Sequence, residues 1–100
     1  MKAIPSGIFN GTKRVYRLKN GDYHFTFEFT NKSSHVEVFC TKHPSFNGQS
    51  SSPHKTHLFH SGKVCFVKGH EPKTQRRAEA LAAQWAEYFL NYRRTGKVQN

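Results

Sequence analysis

Tyr23-His24-Phe25-Thr26-Phe27-Glu28-Phe29-Thr30 is the stretch whose reading decides the fold. Rings hold every odd position and polar side chains every even one. Successive side chains of a strand point to opposite faces, so this order lays four rings on one face and leaves the other wet. A helix would scatter the same rings around its axis. The stretch predicts a β-strand with an aromatic core face.

Its neighbours agree with it. Residues 13–19 alternate too, with Tyr16 and Leu18 on one side and Lys13, Arg17 and Lys19 on the other. Asn20-Gly21 lies between, the pair best suited to a type I′ hairpin turn, whose central residues both need positive φ. That turn sets Tyr16 against Phe25, Leu18 against Tyr23 and Lys19 against Asp22, so apolar faces apolar and a charge pair closes the end. Downstream, Asn31-Lys32-Ser33-Ser34 reads as a loop into His35-Val36-Glu37-Val38-Phe39-Cys40-Thr41. It predicts Phe29 against Val36, Phe27 against Val38 and Phe25 against Cys40, which puts Cys40 in the core.

Residues 42–55 break the pattern with His43-Pro44, Asn47-Gly48 and Ser50-Ser51-Ser52-Pro53. A loop of that length in a small domain is usually either functional or loosely held. Beyond it, 56–60 and 63–67 flank Ser61-Gly62, a tight turn expected to set Leu58 beside Cys65. The last element is a helix: Thr74 suits the N-cap, Pro72 precedes it, and Gly96 suits the position just past the end. Ala78, Leu81, Ala82, Trp85, Tyr88 or Phe89, and Tyr92 recur at helical spacing, a stripe fit to lie on the aromatic sheet face. The expected architecture is α+β, a four-stranded antiparallel meander packed against one long C-terminal helix. Residues 1–12, with Pro5, Gly7 and Gly11, read as an extended or mobile lead-in, and 13–97 as a single domain.

Composition narrows the function classes. The hydrophobic fraction is only 35%, but aromatics reach 14%, so rings must supply the core volume. A formal net charge of +10 favours polyanionic partners, either nucleic acid or an acidic protein surface. Lys13, Arg17, Lys19, Arg76, Arg77, Arg93 and Arg94 are the candidate phosphate contacts, and Phe39, Phe46 and Phe59 the rings left for stacking. A merely solvated basic surface accounts for the same residues equally well. Cys40 and Cys65 are too few for a disulfide framework. The N-terminal residues lack the apolar run of a signal peptide, and no apolar stretch is long enough to cross a membrane. The expectation is a cytoplasmic protein with reduced thiols and no membrane partner.

Six acidic residues leave little scope for a paired-carboxylate hydrolase, and neither a glycine-rich phosphate loop nor a serine elbow is present. The spaced series His54, His57, His60 lacks tight zinc spacing, so no metal or other cofactor is expected. Cys65 is the candidate nucleophile, because His57, His60 and Lys63 lie close in sequence and a positive neighbour lowers a thiol pKa. The alternative reading is that Val64-Cys65-Phe66-Val67 is a buried strand carrying a small hydrophobic thiol.

With these residues in hand, the chain resembles the ubiquitin-conjugating enzyme family and its bacterial relatives. His57-Leu58-Phe59-His60-Ser61-Gly62-Lys63-Val64-Cys65-Phe66 is similar to the family's His-Pro-Asn…Gly-x-x-Cys-Leu segment. Trp85, Tyr88, Tyr92 and Thr95-Gly96 resemble the Trp…Tyr…Thr-Gly ending of bacterial members. The resemblance spans roughly 13–97. It implies a ubiquitin-like-modifier conjugating transferase with Cys65 as thioester nucleophile, His57 as supporting histidine and a ubiquitin-like modifier as partner. Leu58-Phe59 stands where the family has Pro-Asn, and 1–12 cannot form the family's N-terminal helix, so a relative without catalysis is implied as well. The alternative function is a small basic nucleic-acid-binding module.

Overall fold

The computed structural model of the protein describes residues 8–9, 15–17, 24–66 and 69–98. Strands β1 (Ile8–Phe9), β2 (Val15–Arg17), β3 (His24–Asn31) and β4 (Val36–Lys42) lie in one sheet in chain order, each pair antiparallel. Helices α1 (Pro53–Thr56) and α2 (Gln75–Thr95) follow. The two-residue β1 falls within the expected lead-in and pairs with β2, Ile8 opposite Arg17 and Phe9 opposite Tyr16.

Tyr16 stands opposite Phe25, as the hairpin reading requires. Its Asn20-Gly21 turn and the pairs Leu18/Tyr23 and Lys19/Asp22 lie outside the described residues. Between β3 and β4 the register differs from the expectation by two residues. Asn31 faces Val36, Phe29 faces Val38 and Phe27 faces Cys40. The turn is shorter than expected: the Lys32 amide donates to the His35 carbonyl at 2.8 Å, so only Ser33 and Ser34 lie between the partners. An even shift keeps every side chain on its face. A register break between Thr26 and Phe27 then takes up one residue.

The core is made of rings, as the composition demanded. Phe25, Phe27, Trp85, Tyr88 and Phe89 are fully buried. Trp85 meets Phe25 and Phe27 edge-on, at centroid distances of 5.9 and 6.0 Å, the arrangement ring quadrupoles favour. Phe29, expected in the core, is only partly buried at its margin. The Tyr16 hydroxyl crosses to α2 and donates to Glu87 Oε2 at 2.9 Å.

Helix α2 begins and ends where its signals lie. Thr74 Oγ1 accepts from the Arg77 amide at 3.1 Å, and Gly96, at φ +73°, donates its amide to the Tyr92 carbonyl. The helix also holds the loop that precedes the hairpin. Trp85 Nε1 donates to the Thr56 carbonyl at 2.9 Å, the Tyr88 hydroxyl to the Lys55 carbonyl, and the Tyr92 hydroxyl to the Ser50 carbonyl at 2.7 Å. Arg93 Nε adds a bond to the Ser45 carbonyl at 2.8 Å. Through these side chains α2 fastens the loop to itself, and Trp85 touches the sheet rings and the loop at once.

The segment expected to supply a further strand does not become one. Residues 56–60 and 63–67, as far as they are described, make only the isolated bridges Leu58–Val64 and Phe39–Lys63.

Candidate functional site

Residues 57–65 fold back on themselves as a small hairpin. The Phe59 amide donates to the Lys63 carbonyl, and the Cys65 amide to the His57 carbonyl, both at 2.8 Å. Three residues, His60, Ser61 and Gly62, separate Phe59 from Lys63, and the Gly62 amide closes the turn onto the Phe59 carbonyl at 2.8 Å. The expected turn had two residues. One residue more in the turn shifts the pairing by one, and an odd shift exchanges the faces. Val64, not Cys65, faces Leu58, and both of these are buried in the core. Cys65 is turned away and stays partly exposed. The buried-strand reading of 64–66 therefore holds for Val64 and fails for Cys65.

The hairpin is fixed against the edge of β4. The Cys40 amide donates to the Gly62 carbonyl at 2.7 Å and the Val64 amide to the Val38 carbonyl at 2.8 Å. Gly62 is needed twice over. Its φ is +95°, and a Cβ there would sit 3.1 Å from the Cys40 carbonyl oxygen.

The two thiols differ sharply. Cys40 is 4% exposed, its Sγ donates to the Lys42 carbonyl at 3.2 Å, and burial pushes its pKa up to about 12. It is a core residue. At Cys65 partial burial also raises the pKa, while the Lys63 ammonium and the Phe59 backbone amide pull it back. At neutral pH Cys65 is thus held mainly as the thiol, with a cation and a backbone donor beside it.

His57 takes the left-handed conformation at φ 56°, its ring lies 5.0 Å from that of Tyr88 on α2, and its carbonyl accepts from the Cys65 amide. Lys63 reaches across to β4, where Nζ meets Glu37 Oε2 at 2.9 Å. Lys32 and His35 each lie 3.9 Å from the same carboxylate, and the Lys63 hydrogen bond, foremost, with the nearby lysine charges holds Glu37 below the usual carboxylate range. Sequence reading missed Glu37. Its one signal was alternation, which places it between the core residues Val36 and Val38 and so on the outer face with Lys63.

Two hollows flank the hairpin tip. One of about 500 Å³ is lined by Phe39, His43, Phe46, Phe59, His60 and Glu28, and one of about 310 Å³ by Glu37, Lys63, Phe66 and the other side of Phe59. Phe59 stands between them, 47% exposed. Phe46, one of the rings proposed for stacking, packs instead against His43 and Phe89.

The cationic candidates are not gathered. Arg76 and Arg77 are exposed in the first turn of α2, whereas Arg94 lies at its far end, roughly 27 Å away by helix rise. Arg93 is engaged with Ser45 and Arg94 with Asn91. Arg17 is exposed on β2, and Lys13 and Lys19 lie outside the described residues. Among the described residues no set of His, Cys, Asp and Glu converges on a metal position. Among the described residues no helix is long and apolar enough to cross a membrane either. Compared with models of known families, with curated proteins and with solved structures, the chain matches none of them.

Proposed function

We propose that this protein is a divergent ubiquitin-conjugating-like carrier in which Cys65 accepts the C-terminal carboxyl of a ubiquitin-like modifier as a thioester. The observation that carries the reading is the hairpin register. It buries Val64 and leaves Cys65 partly exposed on the hairpin, while Cys40 is sealed in the core. In this reading the sheet plays the part of the family's meander and the hairpin that of its cysteine segment.

The exchange balances without a cofactor. The Cys65 sulfur attacks the carbonyl carbon of a donor thioester and a new C–S bond forms. The donor's C–S bond then breaks, and the proton lost by Cys65 ends on the departing thiol. Lys63 and the Phe59 amide favour the thiolate needed for attack, and burial opposes it. His57 serves by position, its carbonyl fixing the Cys65 backbone. Leu58-Phe59 supplies no side-chain amide for the oxyanion, so chemistry after loading is slow unless a partner contributes a donor.

The test uses the folded protein and ubiquitin carrying a C-terminal thioester. The expected result is an adduct on Cys65, cleaved by reducing agent and absent in Cys65→Ala, with Cys40 unmodified. Failure to form an adduct, with Cys65 as inert to iodoacetamide as Cys40, overturns the reading.

A further inference from the structure

We infer that the hollow of about 500 Å³ beside the hairpin tip binds a small neutral heteroaromatic ligand with an N–H edge, of the nucleobase or nucleoside class. Cys65 is not among the residues that line it, and the site does not depend on the thioester reading.

Three segments build the hollow. Phe39 comes from β4, Phe59 from the hairpin, and His43 and Phe46 from the loop between β4 and α1. Each segment is anchored. The Cys40 amide bonds to the Gly62 carbonyl and ties the hairpin to β4. Arg93 Nε and the Tyr92 hydroxyl hold the loop at its Ser45 and Ser50 carbonyls. Phe46 also packs on Phe89 of α2, with ring centroids 5.4 Å apart. A hollow of this size, framed by rings and formed before any ligand arrives, has the character of a small-molecule site. It also gives a role to a loop longer than a simple connection needs.

The lining narrows the ligand. Phe39, Phe46 and Phe59, the three rings the sequence leaves for stacking, all line this one hollow, and flat π-faces suit them. His43 has a fixed polar role. Its Nδ1 lies 2.7 Å from the Pro44 carbonyl, which can only accept, so Nδ1 carries the proton and Nε2 of the neutral ring is an acceptor. The ring is held in place by Phe46 and Phe89, at centroid distances of 5.2 and 5.0 Å. An acceptor fixed in an aromatic hollow calls for an N–H donor on a flat ligand. Charge decides what else that ligand can carry. Among the described residues the lining holds the carboxylate of Glu28 and neither lysine nor arginine, in a chain of net charge +10. A phosphate would meet no fixed cation there, so a base or nucleoside is favoured over a nucleotide.

The test is a titration of the folded protein with adenosine, followed through its amide signals by two-dimensional NMR. Saturable shifts are expected at Thr41, Phe46, Phe59 and Gly62, with the amides of the first turn of α2 unmoved. Phe59→Ala, at a position 47% exposed, is expected to keep the fold and weaken binding about tenfold, the loss of one base–ring stack. His43→Phe keeps a ring against Phe46 and Phe89 but removes the acceptor, and is expected to weaken binding about fivefold. Adenosine 5′-monophosphate is expected to bind more weakly than adenosine, and tighter binding of the monophosphate overturns the neutral class. The absence of saturable shifts at millimolar adenosine, or shifts centred elsewhere, overturns the site. Undiminished binding by Phe59→Ala does the same. A short oligoadenylate that binds where adenosine does not would place the contact on the basic surface, and that result also overturns the hollow.

Discussion

Gly62 matters for what it lacks. A methyl group there meets both a left-handed φ and the Cys40 carbonyl oxygen at 3.1 Å, so neither the turn nor the contact with β4 survives unchanged. Gly62→Ala is expected to destabilise the fold by about 1–2 kcal/mol, read from urea unfolding, and to quicken Cys65 alkylation as the hairpin frays. Trp85 carries a second residue-scale prediction. Its indole N–H satisfies the Thr56 carbonyl in a buried position, so Trp85→Phe leaves that oxygen unpaired and also loses ring area. The expected cost is about 2–4 kcal/mol in the same measurement. At this scale the sequence showed that Gly62 belongs to a turn. It did not show how many residues the turn holds, and that one count decides which of Val64 and Cys65 is buried.

Among the elements, α2 was the most legible, because cap, periodic stripe and terminal glycine all lie within the segment they define. Thr74→Ala removes the bond to the Arg77 amide and is expected to cost about 1 kcal/mol, measured by thermal unfolding. The loop 43–56 was the least legible. Its composition left open whether it is functional or loosely held, and polar tips of buried helix residues grip its carbonyls. Tyr92→Phe releases the Ser50 carbonyl and is expected to raise hydrogen exchange in the loop, for instance at the Gln49 and Thr56 amides, about fivefold, with amides in β3 unaffected. Equal rates in both places would show that this bond does not hold the loop.

For the molecule as a whole, the buried thiol makes stability depend on alkaline pH. Cys40 keeps its proton up to about 12 in the folded chain, against an ordinary value of 9.0. Above pH 9 the unfolded chain loses that proton and the folded one does not, so stability present below pH 9 is lost as pH rises toward 12. Tyr88, pushed by burial to about 12, adds in the same direction above pH 10. Between pH 9 and 10 the wild-type protein is expected to lose ~1 kcal/mol more than Cys40→Ala, by urea unfolding at each pH. Parallel curves would mean that Cys40 ionises freely in the folded chain.

The order of side chains in 13–41 by itself determined that rings face a core and that Cys40 lies among them, and the order in 74–96 that a capped amphipathic helix follows with an apolar stripe to cover them. These properties are local, since alternation and helical period assign faces without knowledge of any partner. The register of β3 against β4 was less legible, because pairings two residues apart satisfy the same face pattern and only the Ser33-Ser34 turn chooses between them. What Cys65 faces, where the His57 ring goes and which carboxylate holds Lys63 were settled by tertiary structure alone. Each depends on how the hairpin docks on β4 and how α2 grips the preceding loop, contacts between segments far apart in the chain that no local pattern encodes.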